Sequence, residues 1–240
     1  DYGVTIVQPL TGGLVDKLNA QDGRYSLYLR GLLKGEKVEE TRIVDCVTRG
    51  INPYTNTDEF FDCAKNPDLR FIVSNTTEAG IEYKPNQNPD DFNGLTFPGR
   101  LTLFMKKRFD EGLGGFILLP CELIDKNGDN LKECILKYSV DWGYGGEFEK
   151  WIETENHFTN TLVDRIVTGY PRDNAKEMEQ SYGYLDDMID TAEIFHLWVI
   201  EGDKKLAEEI PFHKIGLNVL WTDDVTPYKK RKVRILNGAH

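Results

Sequence analysis

Short apolar runs recur along the chain and alternate with polar segments that have helical spacing. Strands are predicted at 3–7, 25–33, 42–48, 69–73, 115–120, 194–200 and 217–221. Helices are predicted at 58–64, 101–109, 131–142, 148–155 and 228–240. Strands that alternate with helices are typical of an α/β protein with a doubly wound, largely parallel sheet.

A burst of small polar residues follows the strand predicted at 69–73. It consists of Ser74, Asn75, Thr76, Thr77 and Glu78. In an open parallel sheet, ligands bind at the carboxyl ends of the strands. This segment is therefore a candidate for holding the ribose or nicotinamide of a dinucleotide. The same residue types also favour a turn and a helix cap, which is the simpler interpretation of this segment alone.

The last part of the sequence contains a dense basic stretch, in which five of the six residues 229–234 are Lys or Arg. Such a run is typical of a solvated helix surface. At about 100° per residue, however, Lys232, Asn237 and His240 fall within an arc of roughly 140° on one helix face. Carbonyl reduction needs a proton donor and a group that polarises the carbonyl, and an amine and an amide provide them. The pattern is compatible with either interpretation.

A further segment, Val163 to Ile166, places an acid and a base between apolar neighbours. The simplest interpretation is a structural bridge between Asp164 and Arg165. If the ligand is an anion, Arg165 or Arg172 could bind its carboxylate with a bidentate guanidinium.

Composition narrows the class of protein. The 240 residues fit one large α/β domain or one and a half ordinary ones, and the net charge of -11 argues against a nucleic-acid partner. No apolar run reaches the roughly 20 residues that cross a bilayer. The four cysteines and four histidines show none of the paired spacings of a metal site, which favours reduced thiols, a cytoplasmic protein and chemistry without a metal. The pattern does not indicate an oligomeric state.

Together these segments resemble the mannitol dehydrogenase family of polyol-specific long-chain dehydrogenases. The family's Lys, Asn and His set matches Lys232, Asn237 and His240 at the same spacing, and its Val-Asp-Arg-Ile signature matches residues 163–166. Thr168 and Asn156 stand where the mannitol enzymes have other residues. The tagaturonate reductase branch of the family is similar to this chain over 21–25, 74–80, 119–125, 160–173, 190–193 and 227–233.

The resemblance implies a Rossmann-like dinucleotide-binding domain over residues 1–222 and the first helix of a mostly helical substrate domain over 223–240. It also implies that the first strand and glycine-rich turn of the Rossmann-like domain, and most of the helical domain, lie outside this sequence. The implied reaction is the reduction of D-tagaturonate to D-altronate by NADH in galacturonate breakdown. NAD is expected over NADP by resemblance alone.

The resemblance also implies a role for each catalytic residue. Lys232 would be the general acid, Asn237 would polarise the carbonyl, and His240 would orient Lys232 or a substrate hydroxyl. The mannitol enzymes carry a second polarising Asn where this chain has Leu123, and we hypothesise that Asn156 replaces it at the substrate. Two alternatives remain: a mannitol- or fructuronate-type polyol dehydrogenase of the same family, and a non-catalytic fragment of such an enzyme.

Overall fold

The computed structural model describes residues 3–33 and 35–232, in which strands and helices alternate along the chain. The strands are β1 (Val4–Val7), β2 (Tyr25–Leu33), β3 (Glu36–Val44), β4 (Val47–Ile51), β5 (Phe71–Ser74), β6 (Ile117–Pro120), β7 (His157–Phe158), β8 (Asn160–Asp164), β9 (Asp190–Glu193), β10 (Leu197–Glu201) and β11 (Val219–Thr222). The helices are α1 (Val15–Ala20), α2 (Thr57–Ala64), α3 (Phe97–Asp110), α4 (Asn127–Asp141), α5 (Gly146–Glu155), α6 (Ala175–Tyr182), α7 (Leu206–Glu209) and α8 (Thr226–Arg231).

Apart from the strand at 42–48, the predicted elements are confirmed within the described residues, with bounds that move by a few residues, although the helix predicted at 228–240 is described only as far as residue 232. Six elements were not predicted: α1, α6, α7, β7, β8 and β9. The single strand predicted at 42–48 is wrong, because β3 ends at Val44 and β4 begins at Val47. The two strands abut so closely that their apolar and polar positions look like one alternation. Strand β9 was not predicted, because its sequence Asp-Thr-Ala-Glu contains no large apolar residue and its conformation comes from pairing with β2.

The chain divides into two compact units, each described here by itself. Unit 1 comprises the residues up to Phe60 together with Asp164–His196. It contains a parallel pair formed by β1 and β4, and a second sheet with the order β3-β2-β9. In that sheet β2 is antiparallel to β3 and parallel to β9.

Unit 2 comprises Phe61–Val163 and the chain from Leu197 onward. It contains two sheets, a parallel one with the order β5-β6-β7 and another with the order β11-β10-β8, in which β10 and β11 are parallel. Only Thr159 separates β7 from β8, and its N–H donates to the carbonyl of Leu118 in β6. The domain boundary predicted after residue 222 falls within unit 2 and stays a prediction.

Helices cover both faces of β6 in unit 2. Successive side chains of a strand point to opposite faces. Ile117 and Leu119 belong to a buried cluster with residues of β10, β11 and α7. On the other face, the ring of Phe116 lies 5.7 Å from that of Phe104 in α3, and α4 and α5 pack beside α3. The layers are those of a doubly wound α/β arrangement. Among the described residues, no helix combines the length and the apolar character that a membrane span requires.

Arg108 in α3 is a deeply buried charged side chain of unit 2, being 2% exposed. Its guanidinium donates only to backbone carbonyls among its described hydrogen bonds, those of Ala64, Asn66, Leu69 and Gly114. These carbonyls lie at the end of α2, in the segment between α2 and β5, and in the segment between α3 and β6. One side chain thus satisfies four backbone acceptors that the sheet does not reach.

We expect Arg108→Met to lower the free energy of unfolding by about 3 kcal/mol, because the buried carbonyls lose their donors. Denaturant unfolding followed by far-ultraviolet circular dichroism measures this change. The matched control is Lys107→Met on the same helix, where the lost interaction is a surface ion pair with Glu111 at 3.3 Å. The control should change stability by less than about 0.5 kcal/mol. Equal effects of the two variants would contradict this interpretation.

Candidate functional site

The polar segment that follows β5 is held by a buried carboxylate from the segment that follows β6. The two strands are parallel with Ser74 opposite Pro120, so both segments leave the sheet at the same edge. Glu122 is 2% exposed, and its carboxylate accepts hydrogen bonds from Ser74 Oγ at 3.1 Å, Thr76 N at 3.0 Å and Thr76 Oγ1 at 2.9 Å. The N–H of Cys121 donates to the carbonyl of Ser74 at 2.7 Å. The loop therefore starts in one defined conformation.

The next residues of the loop form a tight turn with exposed polar groups. Thr77 lies in the left-handed region with a φ of 72°, and Gly80 N donates to its carbonyl at 3.2 Å. A Cβ on Gly80 would lie only 1.9 Å from Thr76 Oγ1, so this approach requires glycine. Asn75, Thr77 and Glu78 are exposed. An amide, a hydroxyl and a carboxylate thus face outward at the carboxyl edge of the sheet, and these groups suit a ribose or a carboxamide.

Cys121 contacts the first residue of this loop through its backbone N–H, and its thiol is unreactive. Burial raises the pKa of its thiol to about 12. Its Sγ donates to the carbonyl of Leu119 at 3.5 Å, and Thr161 Oγ1 approaches the sulfur at 4.0 Å. A thiol with so high a pKa is a poor nucleophile, so Cys121 is a packing residue.

Lys232, the last described residue, directs its ammonium group toward the end of β8. The side chain is partly buried, and Nζ donates to the carbonyl of Val163 at 2.8 Å. Val163 opens the Val-Asp-Arg-Ile run. The two motifs that the sequence singled out separately are thus in direct contact. The other two predicted catalytic residues, Asn237 and His240, lie outside the described residues.

The start of α8 is anchored by a carboxylate at the end of β10. Glu201 Oε2 accepts a hydrogen bond from Val225 N at 2.8 Å, and Oε1 accepts one from Asn160 Nδ2 at 2.9 Å. Asn160 begins β8, and the carbonyl that Lys232 contacts lies near the end of that strand. Helix α8 is therefore held at both of its ends, by Glu201 at its start and by the carbonyl of Val163 at its end.

Two further contacts fix α8 in this position. Lys229 Nζ donates to Asp125 Oδ1 at 2.8 Å, and this hydrogen bond lowers the pKa of the Asp125 carboxyl. Tyr228 packs against a small apolar cluster formed by Leu162, Val199 and Val225. The helix thus has a polar attachment on one side and an apolar one on the other.

Comparison with known proteins identifies the family of this chain. Residues 1–214 match the mannitol dehydrogenase Rossmann domain. The chain belongs to the mannitol dehydrogenase family. The predicted Rossmann-like α/β fold and the resemblance to this family are thereby confirmed.

Curated relatives within the mannitol dehydrogenase family carry a more specific name. Altronate oxidoreductases of Enterobacter sp. (strain 638) and Shigella flexneri are 48% identical to this chain over 243 residues, with 99% of the chain and 50% of the relative covered. The altronate oxidoreductase of Escherichia coli O6:K15:H31 is 47% identical with the same coverage. The chain spans about half the length of the curated relatives it matches.

Two solved structures of related fold have the same coverage pattern. Substrate-free D-sorbitol dehydrogenase superposes with a TM-score of 0.80 at 25% identity, covering 98% of this chain and 50% of its own. Pseudomonas fluorescens mannitol 2-dehydrogenase, in a ternary complex with NAD and D-mannitol, superposes with a TM-score of 0.80 at 22% identity. The match covers 100% of this chain and 50% of the chain of that enzyme.

The structure does not support the substrate-binding role predicted for Asn156. The side chain is 7% exposed, its Oδ1 accepts from Phe116 N at 2.8 Å, and its Nδ2 donates to the carbonyl of Trp151 at 2.9 Å. Asn156 and Phe116 precede the parallel strands β7 and β6, so the amide lies at the amino edge of the sheet, away from Ser74. We therefore correct its assignment to a structural one, which ends α5 and aligns β7.

The two arginines proposed to bind a carboxylate both belong to unit 1. Arg165 directly follows β8 and is partly buried. Its Nε donates to the carbonyl of Glu193 at 3.1 Å, and burial lowers the pKa of its guanidinium. Arg172 is exposed, and its N–H donates to the carbonyl of Tyr170. Leu123, where the mannitol enzymes have an Asn, is 51% exposed beyond β6.

The residues that organise the site are polar groups to which the sequence pattern assigns no function. Glu122 and Glu201 each stand at the end of an apolar run, and Asn160 begins one. A carboxylate or amide next to a buried strand indicates a side chain that forms several hydrogen bonds, because buried polar groups are nearly always paired. The sequence alone does not identify the hydrogen-bond donors to Glu122 and Glu201. The donor Ser74 lies 48 residues from Glu122, and the donors Asn160 and Val225 lie 41 and 24 residues from Glu201.

We expect Cys121 to resist alkylation in the folded protein, although it lies beside the candidate site. With a pKa of about 12, its thiolate fraction at pH 8 is about 10⁻⁴. Cys46 is exposed and is the matched comparison. Iodoacetamide labelling with peptide mass spectrometry should modify Cys46 first and reach Cys121 only after denaturation. Equally fast labelling of both in the native protein would show that Cys121 is activated.

Proposed function

We propose that this chain forms the dinucleotide-binding part of an NADH-dependent reductase that converts D-tagaturonate to D-altronate. The observation that carries the proposal is the partly buried ammonium group of Lys232, held on Val163 at the end of β8. The altronate oxidoreductases that match nearly the whole chain support the choice of this substrate. The free cysteines fit a reducing compartment, and we place the protein in the cytoplasm.

Residues Ser74 to Glu78 would hold the cofactor. Their exposed groups lie at the carboxyl edge of the parallel strands β5 and β6, where dinucleotides bind in such sheets. When it is bound, the reduced nicotinamide supplies the hydride that the keto carbon accepts. We choose NAD over NADP by the resemblance to the family, because the segment after β1, residues 8–14, contains neither a carboxylate for the ribose nor a Lys or Arg for a 2′-phosphate and does not decide between them. The mannitol 2-dehydrogenase of similar fold also contains NAD.

Lys232 would hold the proton that the reduced oxygen needs. An ammonium group is a donor with no acceptor capacity, and its hydrogen bond to Val163 fixes where Nζ lies. In the reductive direction Nζ gives its proton to the oxygen of the former ketone, and in the reverse direction the neutral amine takes it back. Asn237 would polarise the carbonyl and His240 would orient the lysine or a substrate hydroxyl.

The substrate carboxylate requires a cation in a protein with a net charge of -11. We propose Arg165 or Arg172 for this contact. Arg165 directly follows β8 in the sequence and is itself part of the Val-Asp-Arg-Ile run, whereas Arg172 lies further along the chain. A guanidinium binds a carboxylate through two parallel hydrogen bonds, which also sets the orientation of the sugar acid.

We expect Lys232→Ala to reduce turnover by about 10³-fold, since the proton donor is lost. The assay follows the loss of NADH absorbance with D-tagaturonate in the full-length protein. The matched control is Lys230→Ala, which removes an exposed lysine from the same helix and should leave turnover within about twofold of wild type. Near wild-type turnover of Lys232→Ala would refute the assignment.

The second candidate is a polyol dehydrogenase that acts on a neutral sugar, which the match to D-sorbitol dehydrogenase favours. A panel that compares D-fructose with D-tagaturonate separates the two, because only the keto acid gains from a guanidinium partner. A kcat/KM higher for fructose would favour the polyol enzyme. Isothermal titration with NADH tests the third alternative, since the absence of binding would indicate a non-catalytic fragment.

A further inference from the structure

We infer that Glu122 is a positioning residue that holds the loop at the nicotinamide end of the bound dinucleotide. The inference rests on the proposed function, because it gives a purpose to a loop that the proposal assigns to the cofactor. Glu122 does not touch the reacting atoms. It acts through Ser74 and Thr76, the two loop residues on either side of Asn75.

The first argument is the way in which the carboxylate is buried. A buried carboxylate is costly unless hydrogen-bond donors surround it. Within the part of the chain that the structure describes, the donors to the Glu122 carboxylate come from the loop: the hydroxyl of Ser74, and the N–H and hydroxyl of Thr76. Any other conformation of the loop would leave a buried charge without these partners. The carboxylate therefore favours one loop conformation before a ligand arrives.

The second argument is that the backbone of Glu122 is itself fixed. Asn127 Nδ2 donates to the carbonyl of Glu122 at 3.1 Å and to that of Pro120 at 2.9 Å, and Ile124 N donates to the Glu122 carbonyl at 2.8 Å. Asn127 is 1% exposed and begins α4. The carboxylate is thus attached to the rigid end of β6, and it transmits that position to the loop after β5.

The third argument is what the held loop presents. With Ser74 and Thr76 turned inward to Glu122, the residue between them, Asn75, is exposed, and so is Thr77. An outward amide beside the strand end has the donor and acceptor that a carboxamide requires. Gly80 allows the close packing that keeps Thr76 against the carboxylate, since any Cβ there would meet Thr76 Oγ1. Preorganisation of this kind improves affinity by reducing the ordering that binding requires.

The test compares two ligands that differ only in the nicotinamide. NADH and ADP-ribose are titrated calorimetrically into the full-length protein and into Glu122→Gln, which keeps the size of the side chain but loses its charge and one acceptor. We expect NADH affinity to fall about tenfold, as for the loss of a charge-assisted hydrogen bond, while ADP-ribose affinity stays within about twofold. The KM for NADH should rise, and the KM for the keto acid should not.

Two variants of Thr76 and one surface control separate positioning from loss of folding. Thr76→Val removes the hydroxyl donor at constant shape and should show the same NADH-selective loss, whereas Thr76→Ser keeps the donor and should restore affinity. Glu153→Gln, an exposed carboxylate on α5, is the control for charge alone and should change neither affinity. A parallel fall in NADH and ADP-ribose affinity would indicate general damage and overturn the inference.

The outcomes distinguish this inference from the proposed function. If the wild-type protein binds NADH no more tightly than ADP-ribose, the cofactor assignment of the loop fails, and the positioning role fails with it. If the wild-type protein prefers NADH and Glu122→Gln retains that preference in full, only the role of Glu122 is overturned.

Discussion

One buried amide holds together the ends of three elements in unit 2. Asn127 donates to the carbonyls of Pro120, Glu122 and Thr161, and its Oδ1 accepts from the N–H groups of Thr161 and Gly128. It thereby joins the end of β6, the strand β8 and the first turn of α4. Buried backbone groups are costly if left unsatisfied, and Asn127 pairs five of them at once. The carbonyls of Pro120 and Glu122 also accept from Thr161 Oγ1 and Ile124 N. The positions of the loop after β5 and of α8 both depend on this junction.

The two functional segments are held by the same physical device at different strand ends. A carboxylate at the end of one strand accepts from the backbone of a neighbouring segment: Glu122 from the loop after β5, and Glu201 from the start of α8. The carboxylate provides strong acceptors without occupying much volume. The segments it fixes can then expose their other polar groups to a ligand.

Much of this architecture was predictable, because segments with a strong local pattern of apolar and polar residues adopt the strand or helix that the pattern favours. The apolar runs that became β1, β2, β5, β6 and β11 are flanked by turn residues, and α3, α4 and α5 have clear helical spacing. The polar burst after β5 and the residue Lys232 are also visible as sequence features. Strand β9 could not be predicted, because it contains no large apolar residue and its conformation comes from pairing with β2 and with residues 166–169. Asn156 was misassigned because sequence does not show at which edge of the sheet a residue lies.

The sequence by itself determined the alternation of strands and helices, the family and the residue types available for chemistry, since these depend on local spacing and on long matching runs. Only the tertiary structure decided which of those polar groups face a ligand and which satisfy the backbone. The reason is that Asn75 and Asn156 are chemically identical. One is exposed at the carboxyl edge, and the other is buried at the amino edge with its amide oxygen and nitrogen each hydrogen-bonded to the backbone. That difference arises from contacts between segments far apart in the chain, which no local pattern records.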